Sequence, residues 1–120
     1  MRYLFVGAHA DDIEIGCGGI LLKSYKKNKI FNYIATDSEY RDENGKLVRS
    51  AIDAKNDILR CYKNKKIPNI FGISKVFHLT NNEKLRSELV RLKKNYHQKW
   101  YLFPGIMILI LIIKIFPKLL

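Results

Sequence analysis

A chain of 120 residues can close one domain around one modest core, which excludes a second folded domain. Lysine and arginine number 22 against 11 acidic residues, a formal net charge of +11, and beyond residue 57 only Glu83 and Glu88 are acidic. Such a charge suits a polyanionic partner in principle. The sequence has no stripe of interleaved aromatic and basic residues of the RNA-binding kind, so a solvated lysine-rich surface is expected and nucleic-acid binding is not.

Tyr3 to Ala8 is a short apolar run ending in a carboxylate-rich segment, which predicts a buried strand followed by a loop. Gly16, Gly18 and Gly19 predict a tight turn before Ile20-Leu21-Leu22 opens a helix that fades into Lys26 to Lys29. A second strand is expected over Ile30 to Thr36, closed by Asp37. Residues 38–46 read as a polar loop. Leu47 to Tyr62 carries Val48, Ala51, Ile52, Ile58, Leu59 and Tyr62 at helical spacing, and a basic turn follows from Lys63 to Pro68. Lys75 to Leu79 reads as a third strand, and His78 within it as a core or edge residue. Glu83 to Lys94 is an amphipathic helix with Leu85, Leu89 and Leu92 on one face. Strand and helix alternate throughout, which predicts an α/β fold with right-handed crossovers, a Rossmann-like open parallel sheet with flanking helices.

In such a sheet the loops at the carboxyl ends of the strands line the ligand crevice, and the first of them holds His9, Asp11 and Asp12. A neutral imidazole and a carboxylate suit a borderline divalent ion, and a three-ligand site with an open position lowers the pKa of bound water to about 7. Adjacent carboxylates point in different directions, so one can hold the ion while its neighbour takes a proton. Cys17 reads as a small packing residue beside glycines. Cys17 and Cys61 lack CxxC spacing and no signal-peptide pattern opens the chain, so reduced thiols and a cytoplasmic location are expected.

The segment Ala8-His9-Ala10-Asp11-Asp12-Ile13-Glu14-Ile15-Gly16-Cys17-Gly18-Gly19 resembles the first signature of the PIG-L/LmbE metal-dependent sugar N-deacetylases, an Ala-His-Pro-Asp-Asp-Glu followed by a Gly-Cys-Gly-Gly turn. The resemblance implies His9 and Asp12 as ligands of Zn2+ or another divalent metal and Asp11 as the catalytic base. It also implies an LmbE-like fold and, as substrate, a small-molecule N-acetylglucosamine-type amino sugar or glycoconjugate that loses its acetyl group. Ala10 stands where the family has proline, and Ile13 where it has glutamate, with Glu14 beside it. Thr36-Asp37-Ser38-Glu39 is similar to the family's Thr-Asp-Gly-Glu, and Arg49 falls where members place an arginine near the substrate.

The family completes its metal site with a second, His- and Asp-rich signature further along the chain. Residues 1–94 therefore read as the N-terminal part of a PIG-L/LmbE-like domain, incomplete in its ligands, and residues 95–120 as an aberrant apolar tail. Isoleucine and methionine codons begin with AT, and read one frame over they end in AT and encode Asn, His, Tyr or Asp. A frameshifted copy of the second signature is one reading of the tail, permitting Asp-His at Leu111 to Ile113. With two protein ligands, weak metal binding and negligible turnover are expected. The alternative is a small basic membrane-associated protein that uses residues 100–120 as an interfacial anchor, since a bilayer-spanning helix needs about 20 apolar residues and the uninterrupted run from Ile106 to Ile113 is far shorter.

Overall fold

The computed structural model describes residues 2–76, 83–96, 98–102 and 111–115. Strand β1 (Arg2–Gly7) lies between β2 (Lys29–Thr36) and β7 (Leu111–Ile115), with β5 (Asn69–Ser74) and β6 (Gln98–Leu102) at the two edges, in the order β5-β2-β1-β7-β6. β1, β2 and β5 are mutually parallel, whereas β7 runs antiparallel to β1 and β6 antiparallel to β7. The chain is thus α/β with a three-stranded parallel segment, and the sheet as a whole is mixed rather than parallel. Within residues 95–120, Asn95 and Tyr96 end the helix that begins at Glu83, and Gln98–Leu102 and Leu111–Ile115 enter that sheet as strands.

Helices cover both faces of the parallel segment. Alternate residues of β1 and β2 point to opposite sides. Phe5, Ile30 and Ile34 pack with Ile13, Cys17 and Leu21 of α1 (Asp12–Ser24) and with Ala54, Ile58 and Tyr62 of α2 (Ala51–Tyr62). Leu4, Val6, Tyr33 and Ala35 pack on the other side against Leu85, Leu89 and Leu92 of α3 (Glu83–Tyr96), the apolar stripe read from the sequence. Tyr33 adds a directional link by donating its hydroxyl to Glu88 at 2.6 Å. Burial, and then that hydrogen bond to a carboxylate, pushes the phenol well above its ordinary pKa.

Three expectations need correction. The third parallel strand is Asn69–Ser74, which lies ahead of the strand expected over Lys75 to Leu79: Lys75 and Val76 follow β5, and residues 77–80, His78 among them, lie outside the described residues. Gly72 gives the middle of this segment the look of a breaker. A Cβ there would sit 2.4 Å from the carbonyl oxygen of Ala35, so glycine lets β5 approach β2, where the register also shifts. Next, α1 starts at Asp12 and runs through Gly16, Gly18 and Gly19, because Ile13, Cys17 and Leu21 form a buried stripe at a spacing of four that outweighs the low helix propensity of glycine. Finally, Leu47–Arg49 is a strand, β4, paired with β3 (Tyr40–Arg41) in a hairpin within the predicted loop and helix start. The helix begins only after Ser50, whose hydroxyl accepts from the backbone N–H of Asp53 at 3.1 Å and donates to its carboxylate at 2.6 Å. Accordingly Val48 and Ile52, expected on the apolar face, are exposed.

Candidate functional site

Parallel strands bring their carboxyl ends to one edge, and three loops meet there. The loop after β1 is tied to the end of β2 by two bonds to the Ala8 carbonyl, from the backbone N–H of Thr36 at 3.0 Å and from its hydroxyl at 2.7 Å. The loop after β2 is tied to β5 by the N–H of Asp37, which donates to the Ser74 carbonyl at 2.9 Å.

His9 and Asp12 face each other across the turn that opens α1. The imidazole Nδ1 stands 3.4 Å from Asp12 Oδ2, and the same oxygen accepts the backbone N–H of His9 at 2.7 Å. The imidazole is about half exposed, whereas the Asp12 carboxylate is nearly buried, with 7% of its side-chain surface accessible. Two ligands each about 2.1 Å from a tetrahedral ion stand about 3.4 Å apart, so the spacing suits a shared divalent cation. Among the described residues no third His, Cys, Asp or Glu joins them. Asp11, which precedes the helix, is exposed and makes no side-chain capping bond.

Ile13, in place of the family's glutamate, is a core residue, and Glu14 turns toward α2 to accept the Tyr62 hydroxyl. Arg49 lies at the end of β4 and is engaged by Asp57 of α2 at 2.8 Å. It does not line the cavity at the strand ends.

That cavity, about 230 Å³, lies beside the His9 turn, and Ala10, Thr36, Asp37, Ser38, Lys55 and Phe71 contribute to its wall. Ser38 is buried and has a left-handed backbone, φ 57°, and its hydroxyl has no hydrogen-bond partner among the described residues. A residue other than glycine or asparagine rarely adopts that conformation, and a glycine stands at the corresponding place in the Thr-Asp-Gly-Glu pattern. Asp37 pairs with Lys75 at 2.9 Å. Burial opposes ionisation of Asp37, but the Lys75 ammonium and the backbone N–H of Glu39 outweigh it and hold the carboxyl below its ordinary range.

Sequence reading found His9, Asp11 and Asp12 but not the service of Thr36 as a clasp, nor the cavity formed by Ala10, Ser38, Lys55 and Phe71. A threonine at a strand end before an aspartate was the available signal for the first; the cavity has none, because its walls come from four separate segments.

No protein-family model matches the chain, and no curated protein or solved structure shows significant similarity to it. What fold and site define together is an α/β protein with a histidine–carboxylate pair at the carboxyl edge of its parallel strands. No helix among the described residues is long and apolar enough to cross a membrane.

Proposed function

We propose that this chain is a relative of the PIG-L/LmbE metal-dependent N-deacetylases, with a Rossmann-like core, whose site is built for hydrolysis of an N-acetylglucosamine-type amide and has two protein ligands among the described residues. The observation that carries the reading is the 3.4 Å approach of His9 and Asp12 at the end of β1, with Asp11 next to them and exposed. The strand order β5-β2-β1, with a helix in each crossover, is compatible with one half of a Rossmann fold and supports that part of the reading. The left-handed Ser38 supports the Thr-Asp-Gly-Glu likeness from an independent direction.

When bound, a divalent ion supplies Lewis acidity toward an amide carbonyl and makes water a stronger acid. His9 and Asp12 would hold it. Asp11, exposed and making no side-chain capping bond to the helix, would take the proton from the attacking water and return it to the departing amine. Thr36 fixes the loop that carries His9, and the cavity beside it gives the sugar a place to lie against Phe71 and Lys55. A cytoplasmic location goes with this reading, since both cysteines are free thiols.

Titration with Co2+ followed by NMR tests it. Weak binding that broadens the His9 ring resonances, with no sub-micromolar heat in zinc calorimetry and acetate release from N-acetylglucosaminides at background, is expected. Loss of the broadening in both His9→Ala and Asp12→Asn completes the expected result. Broadening centred elsewhere, or unchanged in those variants, overturns the metal-site reading, and tight zinc binding overturns the two-ligand count.

A further inference from the structure

At the opposite edge of the sheet, where β2 begins, the segments that leave α1 and α2 converge. The backbone N–H of Asn32 donates to the Pro68 carbonyl at 2.9 Å and joins the two. Between them lies a concavity of about 540 Å³ whose rim carries Lys26, Lys29, Lys65 and Lys66 with Asn28 and Asn64. That volume falls within the size range of small-molecule sites, about 300–1,000 Å³.

The charge there is of one sign. The sequence contains no aspartate or glutamate between Glu14 and Asp37, nor between Asp57 and Glu83, so neither converging segment supplies a carboxylate. Lys65 is partly used, since its ammonium donates to the Cys61 carbonyl at 2.8 Å and closes the end of α2. Lys26, Lys29 and Lys66 pair with no carboxylate among the described residues, although Lys66 is held in a left-handed backbone with φ 51°. Gathering uncompensated ammonium groups around one hollow is unfavourable unless an anion offsets their repulsion.

We propose that this hollow is a binding site for a small ligand carrying several phosphates, distinct from the His9–Asp12 site and independent of any reading of it. Lysines act as point charges on phosphate oxygens and need no planar fork, whereas the Asn64 amide can add a directional bond. Several phosphates are required because the lysines are spread around a rim rather than focused on one point. A single-stranded nucleic acid fits less well: lysines closed around one hollow do not form the extended basic groove that tracks a strand, although the half-buried Tyr25 and Phe31 also line it. A membrane fits less well too, because the lysines surround a concavity rather than extend from a flat face.

Calorimetric titration of the full chain with inorganic tripolyphosphate, at low salt, is the test. Saturable one-to-one binding is expected, stronger than that of citrate. The double substitution Lys29→Ala/Lys66→Ala should weaken it at least about tenfold, since each removes a charge-assisted contact. Lys84→Ala/Lys94→Ala on α3 removes the same net charge from exposed positions elsewhere and should leave affinity within about twofold. Circular dichroism of each variant confirms that folded protein is compared. Absence of saturable binding, equal losses in the two double variants, or citrate binding as tightly as tripolyphosphate would overturn the proposal. So would tighter binding of an oligonucleotide or of phosphatidylserine vesicles that Lys29→Ala/Lys66→Ala abolishes.

Discussion

The Thr36 hydroxyl donates to the Ala8 carbonyl at 2.7 Å and thereby clasps the loop that presents His9 to the end of the neighbouring strand. The same oxygen accepts the backbone N–H of Ser38 at 3.3 Å, so one buried hydroxyl sets both walls of the crevice. Thr36→Val keeps the shape and removes both bonds. It should cost about 1–2 kcal/mol of stability in urea denaturation, while Thr36→Ser, which keeps the hydroxyl, should lose less than half as much. Equal loss in the two variants would show that packing of the methyl group, and not the clasp, is what matters.

Ser38 holds a backbone conformation that costs a residue with a Cβ about 1–2 kcal/mol. Glycine removes that cost and adds about 0.5–1 kcal/mol of chain entropy in the unfolded state, so Ser38→Gly should be neutral to stabilising by about 1 kcal/mol. Ser38→Val should destabilise by more than 1 kcal/mol, about the cost of forcing a β-branched residue into this region. Thermal denaturation of the three proteins checks the order, and a valine variant as stable as the parent would refute it.

Two glycines of one chain should respond in opposite ways to alanine. Gly19 lies within α1 on its exposed side, and a Cβ there meets nothing within 4 Å. Gly19→Ala should therefore stabilise by about 0.5–1 kcal/mol through helix propensity alone. Gly72→Ala drives a methyl against the Ala35 carbonyl and should cost about 1–3 kcal/mol or separate β5 from β2. Denaturant midpoints measure both, and hydrogen exchange at the amides shared by β2 and β5 reports the separation.

Acid should weaken this protein through Asp37 and Asp57. The first is held below the ordinary 3.8 by Lys75 and the Glu39 N–H against the opposing effect of burial, the second by Arg60 and then Arg49. A carboxyl with a lowered pKa in the folded state binds fewer protons there than in the unfolded chain. Its contribution is fully present above the ordinary value and is lost as pH falls through the lowered one. Asp37→Asn and Asp57→Asn should each be less stable than the parent at neutral pH, and the difference should close below about pH 4. A gap of constant size across that range would assign the loss to something other than ionisation.

The amino-acid order by itself determined the alternation of strand and helix, the stripe of Leu85, Leu89 and Leu92, and the cluster of His9, Asp11 and Asp12. Each depends on periodicity or on near neighbours, which a linear pattern carries. It left Asn69–Ser74 without a strand, and only the nearness of Ala35 explains the glycine in its middle. It took Leu47–Arg49 into a helix because apolar spacing continues across the hairpin, and it did not show that Arg49 pairs with Asp57 of α2. Tertiary structure alone decided that β7 pairs antiparallel with β1, that Thr36 clasps Ala8, and that lysines from two distant segments ring one hollow. Those relations join residues far apart in sequence, and their energies come from hydrogen bonds and charges that meet only when the sheet has formed.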